Sequence, residues 1–105
     1  MKAFRRFGAV AVSGASMAPK YRNGDWLLVR WGGGFYVDHI VVIERESYPG
    51  IFYIKRVKSI KGNEVWVEGD NRQSSEDSHK WGAISPEEIV GKVLFRYRKG
   101  KTLSE

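Results

Sequence analysis

The chain has 105 residues, 42% of them hydrophobic and 29% charged, which suffices to bury one modest core and not two. It contains no cysteine, so disulfides, thiolate metal sites and a cysteine nucleophile are excluded. Eighteen Lys and Arg against 12 Asp and Glu leave a formal charge of +6, a balance that favours anionic partners such as nucleic acid, a phospholipid surface or an acidic peptide.

The first apolar run, Ala9-Val10-Ala11-Val12, follows Arg5, Arg6 and Phe7 in the basic-then-apolar order of a signal peptide. It is too short: a secretory apolar region needs about 7 to 15 residues and a bilayer span about 20. No transmembrane anchor or export signal is read. The expected location is the cytoplasm, with at most peripheral membrane contact through Phe4, Phe7 and the arginine pair. Apolar alternation and β-branched residues then predict six strands, over 9–12, 26–30, 39–44, 51–59, 64–68 and 90–97. Between them stand turn signals: Asn23-Gly24-Asp25, Gly32-Gly33-Gly34, Pro49-Gly50 and Lys61-Gly62-Asn63. The triple glycine does not open a helix and lacks a following Gly-Lys-Ser/Thr, so it reads as a connection rather than a phosphate cradle. One helical signal occurs, Ser85-Pro86-Glu87-Glu88, with Ser as N-cap, Pro at the first helical position and acids in the first turn. The expected fold is all-β, a small rolled sheet or partly open barrel with one short helical turn. It would form a single domain over 1–105, with its core at 9–97 and basic tails carrying Arg5 and Arg6 at one end and Arg96, Arg98, Lys99 and Lys101 at the other.

The stretch with chemical content is Val12-Ser13-Gly14-Ala15-Ser16-Met17-Ala18-Pro19. It offers the Ser16 hydroxyl inside a turn whose small residues, Gly14 and Ala15, let a peptide approach the backbone, with Pro19 stiffening the exit. The bland alternative is a Gly/Ser/Pro loop between strands. A serine hydroxyl needs a base. His39 and His79 are the only imidazoles, and a triad with Asp38, Asp70 or Asp77 is formally open, although His39 reads as a half-exposed strand residue. Lys55 is the better base. On a strand it shares a face with Tyr53 and Val57, and desolvation there would lower an amine pKa that is otherwise about 10.4. From spacing alone, a surface lysine with its stem on the strand remains the alternative.

Three segments together resemble the sequence boxes of type I signal peptidases, the serine/lysine peptidases of the bacterial inner membrane and its organellar descendants: V-S-G-A-S-M-A-P at 12–19, I-K-R-V at 54–57 and G-D-N-R-Q-S-S-E-D-S-H-K-W-G at 69–82. The resemblance extends over residues 10–97. It implies that Ser16 attacks the scissile carbonyl, that neutral Lys55 takes its proton, and that Ser75 orients the Lys55 amine. It implies an oxyanion hole at the Ser16 N–H with a second donor near Gly14, and substrate contacts at Gly14, Ala15 and Met17. Gly69, Asp70 and Asn71 would shape the loop behind the dyad, and Asp77 would hold that loop by an ion pair. Three residues depart from the family pattern: Lys20 after Pro19, His39 where aspartate is common, and His79 in place of arginine, which would make the Asp77 pair pH-dependent. The length resembles the short, anchorless members of the family, such as the peptidase that matures nickel superoxide dismutase.

The implied function is removal of an amino-terminal leader or signal peptide from a protein, cutting after a small residue, with the substrate bound as an added strand. No cofactor or metal is implied, and a monomer is expected. A self-cleaving repressor peptidase would share dyad and fold but would need a DNA-binding region and a cleavable linker in the same chain. The competing class is a non-catalytic basic β-barrel that binds a peptide, or stacks single-stranded nucleic acid on Trp26, Trp31, Trp66 and Trp81. No stable nucleic-acid complex is expected.

Overall fold

In a computed structural model, residues 6–74 and 76–100 are described. Ser75, Phe4, Arg5 and Lys101 lie outside these residues.

Each run of alternating or continuous apolar residues becomes a strand: β1 Phe7–Ala11, β2 Trp26–Trp31, β3 Ile40–Glu44, β4 Phe52–Lys61, β5 Glu64–Glu68 and β6 Ile89–Arg98. They form one antiparallel sheet in the order β1-β2-β6-β3-β4-β5. The all-β expectation holds, and the sheet is rolled without closing. The anticipated turn is a 3₁₀ turn at Pro86–Glu88, with Ser85 and Glu88 forming a reciprocal capping box. Two further short pieces were not anticipated, a 3₁₀ turn at Arg72–Ser74 and a one-turn helix α1 at Ser78–Trp81.

Strand β3 explains the rolling. Its run Ile-Val-Val-Ile has no polar alternation because both of its faces are covered, as a fully buried strand requires. Ile40 and Val42 enter one core cluster with Val12, Met17, Tyr21, Leu27, Val29 and Val93. Val41 and Ile43 enter a second with Val57, Val65, Val67 and Ile84. The two clusters thus lie back to back on one sheet.

The carboxyl-terminal half of β6 is also not a solvated tail, contrary to the reading of Arg96 as tail charge. Arg96 donates to Asp25 Oδ2 at 3.3 Å and to the Lys20 carbonyl at 3.2 Å. Gly100 N–H donates to Asp25 Oδ1 at 2.8 Å, and a Cβ at Gly100 would come within 2.5 Å of the Gly24 backbone. Only glycine permits this approach, which ties the end of β6 to the base of the loop that carries Ser16.

Candidate active site

Residues 12–25 form a loop closed at its base, where Val12 N–H donates to the Asp25 carbonyl and Gly24 N–H to the Val12 carbonyl, each at 2.8 Å. Met17 is 1% exposed and Tyr21 7%, so two apolar side chains anchor the loop in the first core. The backbone between them is tightened by Ala18 N–H on the Ala15 carbonyl and Tyr21 N–H on the Met17 carbonyl, and the Ala18–Pro19 peptide is cis. Gly14 adopts φ of +89°, and its N–H donates to Asn23 Oδ1 at 2.9 Å. Asn23, read from sequence only as a turn residue, therefore fixes the approach to Ser16. Among the described residues nothing accepts from the Ser16 N–H.

A second segment clasps this loop from 53 to 56 residues away. Asn71 donates twice, from its backbone N–H to the Ser16 carbonyl at 2.8 Å and from Nδ2 to the Ala15 carbonyl at 3.1 Å. Asp70 N–H points at Met17 Sδ, 3.4 Å away. Asp70 itself is gripped by the Arg56 guanidinium through two bonds of 2.9 Å, and this hydrogen bonding holds its carboxyl below the usual range despite partial burial. Such a fork is the stronger form of ion pair. Asp77, 1% exposed, accepts from Gly69 N–H at 2.9 Å and caps α1 by accepting from His79 N–H at 3.0 Å. The His79 ring lies 2.9 Å from Asp77 Oδ1 and 3.5 Å from Glu68 Oε2.

Lys55 sits in β4 opposite Val41 of β3 and is only 3% exposed. The surface-lysine alternative is thereby removed. Burial pushes its amine pKa down, against the opposing charges of Asp77 and then Glu76. Ser16 and Lys55 line one groove of about 660 Å³, bounded by residues 9–17 and Trp26 on one side, residues 52–55 on the other, and Glu76. Topology leaves this groove open. Strand β1 is an end strand of the sheet, and β5 pairs with β4 only from Arg56 onward, so residues 52–55 pair with β3 alone. Among the described residues, the outer edge of β1 and residues 52–55 of β4 thus flank Ser16. All of residues 52–55 line the groove because an edge, rather than a single face, borders it, which alternation on one strand does not reveal.

The other candidates sort by position. Gly14, Ala15 and Met17 all border the groove, whereas Asp70, Asn71 and Asp77 do not line it. Neither histidine lines it: His39 Nδ1 accepts from the Tyr36 N–H at 3.1 Å, in the turn before β3 rather than within the strand. Three tryptophans are anchors. Trp31 packs on Phe52, Trp81 lies between Tyr53 and Arg45, and Trp66 donates to Glu68. Among the described residues no three His, Asp or Glu converge as metal ligands, and no helix is long and apolar enough to cross a membrane.

Comparison with known proteins gives the same direction. A family model described as Peptidase S24-like matches residues 3–94. The chain is 40% identical over 75 residues to thylakoidal processing peptidase 1 of Arabidopsis thaliana, covering 71% of this chain and 22% of that protein. It is 31% identical over 113 residues to mitochondrial inner membrane protease subunit 1 of Mus musculus, covering 85% of this chain and 68% of that protein. A shorter match, 45% over 38 residues, is to probable signal peptidase I-1 of Synechocystis sp., covering 36% of this chain and 19% of that protein. The chain thus spans about a fifth of the thylakoidal relative and about two thirds of the mitochondrial one.

Proposed function

Because the chain belongs to the Peptidase S24-like family and is a type I signal peptidase-like protein, we propose that it is a serine endopeptidase that removes a leader or signal peptide with a Ser16/Lys55 dyad. The observation that carries this reading is the burial of Lys55 in the same groove as Ser16. An amine held in a poorly solvated site loses its proton more readily, and only the neutral amine can act as a base.

In this mechanism a substrate segment enters between β1 and residues 52–55 of β4 and pairs as an added strand along the outer edge of β1. Ser16 Oγ attacks the scissile carbonyl while Lys55 Nζ takes the hydroxyl proton. Negative charge develops on the carbonyl oxygen, and the Ser16 N–H stabilises it. Gly14 N–H is engaged by Asn23, which leaves the Ser16 N–H as the donor to that oxygen. The Lys55 ammonium then protonates the leaving amine, giving an ester on Ser16, and the same amine activates the water that hydrolyses it. Ser75, outside the described residues, takes the amine-orienting role that the family resemblance assigns to it. Asn71, Asp70 and Asp77 hold the two loops in register. Small side chains flanking the cut suit the approach across Gly14 and Ala15.

The test is incubation with leader-bearing proteins, read by intact mass. Wild type cleaves at one bond after a small residue, and Ser16→Ala and Lys55→Ala lose cleavage while keeping the wild-type unfolding transition. Retained cleavage in either variant refutes the dyad.

A further inference from the structure

Among the described residues, the groove beside Ser16 presents a single exposed charge. Of its described lining residues only Lys55 and Glu76 are charged, and Lys55 is buried. The Glu76 side chain is 58% exposed, and its carboxylate lies 3.8 Å from Lys80 Nζ, one helical turn further on, whose side chain is 66% exposed. A pair so open to water contributes little and exchanges readily for another cation.

We propose that Glu76 selects substrates that carry a basic side chain beside the bond to be cut, its carboxylate pairing with that side chain in place of Lys80. The inference rests on the peptidase reading above and adds its local charge preference. It runs against the molecule's overall field: a chain of net charge +6 draws in acidic peptides at long range, so a preference for a basic residue at one position must come from a local carboxylate. An acidic residue at that position would meet Glu76 across a groove whose other exposed lining is uncharged. Glu76 also favours the charged form of Lys55. A substrate cation that takes the place of Lys80 leaves Glu76 paired as before, so the preference falls on substrate binding rather than on the Lys55 proton.

The experiment uses peptides spanning a cleaved junction, in which each residue flanking the cut is in turn Arg, Gln or Glu. They are tested with wild type, Glu76→Gln and Glu76→Lys at low and at 0.5 M salt. At one position wild type should prefer Arg over Glu by roughly twofold to fivefold in kcat/KM, the range of a part-exposed ion pair. Glu76→Gln should remove that preference, Glu76→Lys should invert it, and salt should weaken it. Equal cleavage of the Arg and Glu peptides by wild type, or an Arg preference that survives in Glu76→Lys, overturns the proposal. If wild type cleaves none of the peptides, the peptidase reading fails. Anisotropy titrations of labelled Arg and Glu peptides then decide the charge preference alone: tighter Arg binding that inverts in Glu76→Lys supports it, and equal binding overturns it.

Discussion

At the scale of residues, few side chains hold the loop that carries Ser16. Asn71 contributes two of the bonds that fix it, and only the Nδ2 bond to the Ala15 carbonyl depends on the side chain. Asn71→Ala should remove that bond and leave the backbone bond to Ser16 in place. A hydrogen bond of about 0.5–1.5 kcal/mol, felt as looser placement of the nucleophile, lowers kcat/KM by about twofold to tenfold. Steady-state cleavage kinetics check this, and Asn71→Asp, which sets a carboxylate oxygen against the Ala15 carbonyl, should lose at least as much as Asn71→Ala. The residue type was legible in the sequence; its partner was not, because the contact spans 56 positions. The same holds for Lys55. Alternation on β4 put it beside Tyr53 and Val57, but its burial depends on residues remote in the chain, which spacing on a single strand cannot report.

At the scale of elements, strand positions were readable to within about two residues, and the deviations have local causes. Val12 leaves β1 because its N–H and carbonyl are taken by Asp25 and Gly24, closing the loop that carries Ser16. Helix α1 was missed because a four-residue helix capped by Asp77 shows no apolar period in so polar a stretch. The junction of that closed loop with the end of β6 is where pH should act on stability. Asp25 is 3% exposed, and although burial alone would raise its pKa, hydrogen bonds from Arg22 N–H, Gly100 N–H and Arg96 hold it below the ordinary carboxylate value. A carboxyl depressed in the folded state stabilises the fold at pH above its unfolded value of about 3.9. That contribution is lost as pH falls from there through the folded pKa. Urea unfolding from pH 7 to pH 2 should therefore show stability falling below about pH 4. Asp25→Asn should be less stable at pH 7 and show a shallower fall over the same window, and an unchanged slope would remove Asp25 from this role.

At the scale of the whole molecule, the sheet serves as a wall between two apolar clusters that share β3, and its rolling brings the outer edge of β1 toward residues 52–55 of β4. The groove is the seam left where the roll does not close. An all-β fold was legible from periodicity and turns, whereas the seam depends on strand order, with β6 inserted between β2 and β3, which no local pattern states. In the proposed mechanism this seam keeps the Lys55 amine poorly hydrated and ready to accept the Ser16 proton. The most direct measurement of this is an NMR titration of the Lys55 Nζ in lysine-labelled protein, with the resonance assigned by its loss in Lys55→Arg. The account predicts a midpoint displaced below the ordinary lysine value of about 10.4, in the direction that burial imposes. A midpoint at or above that value would show an amine that stays charged beside Ser16, and would contradict its role as the base.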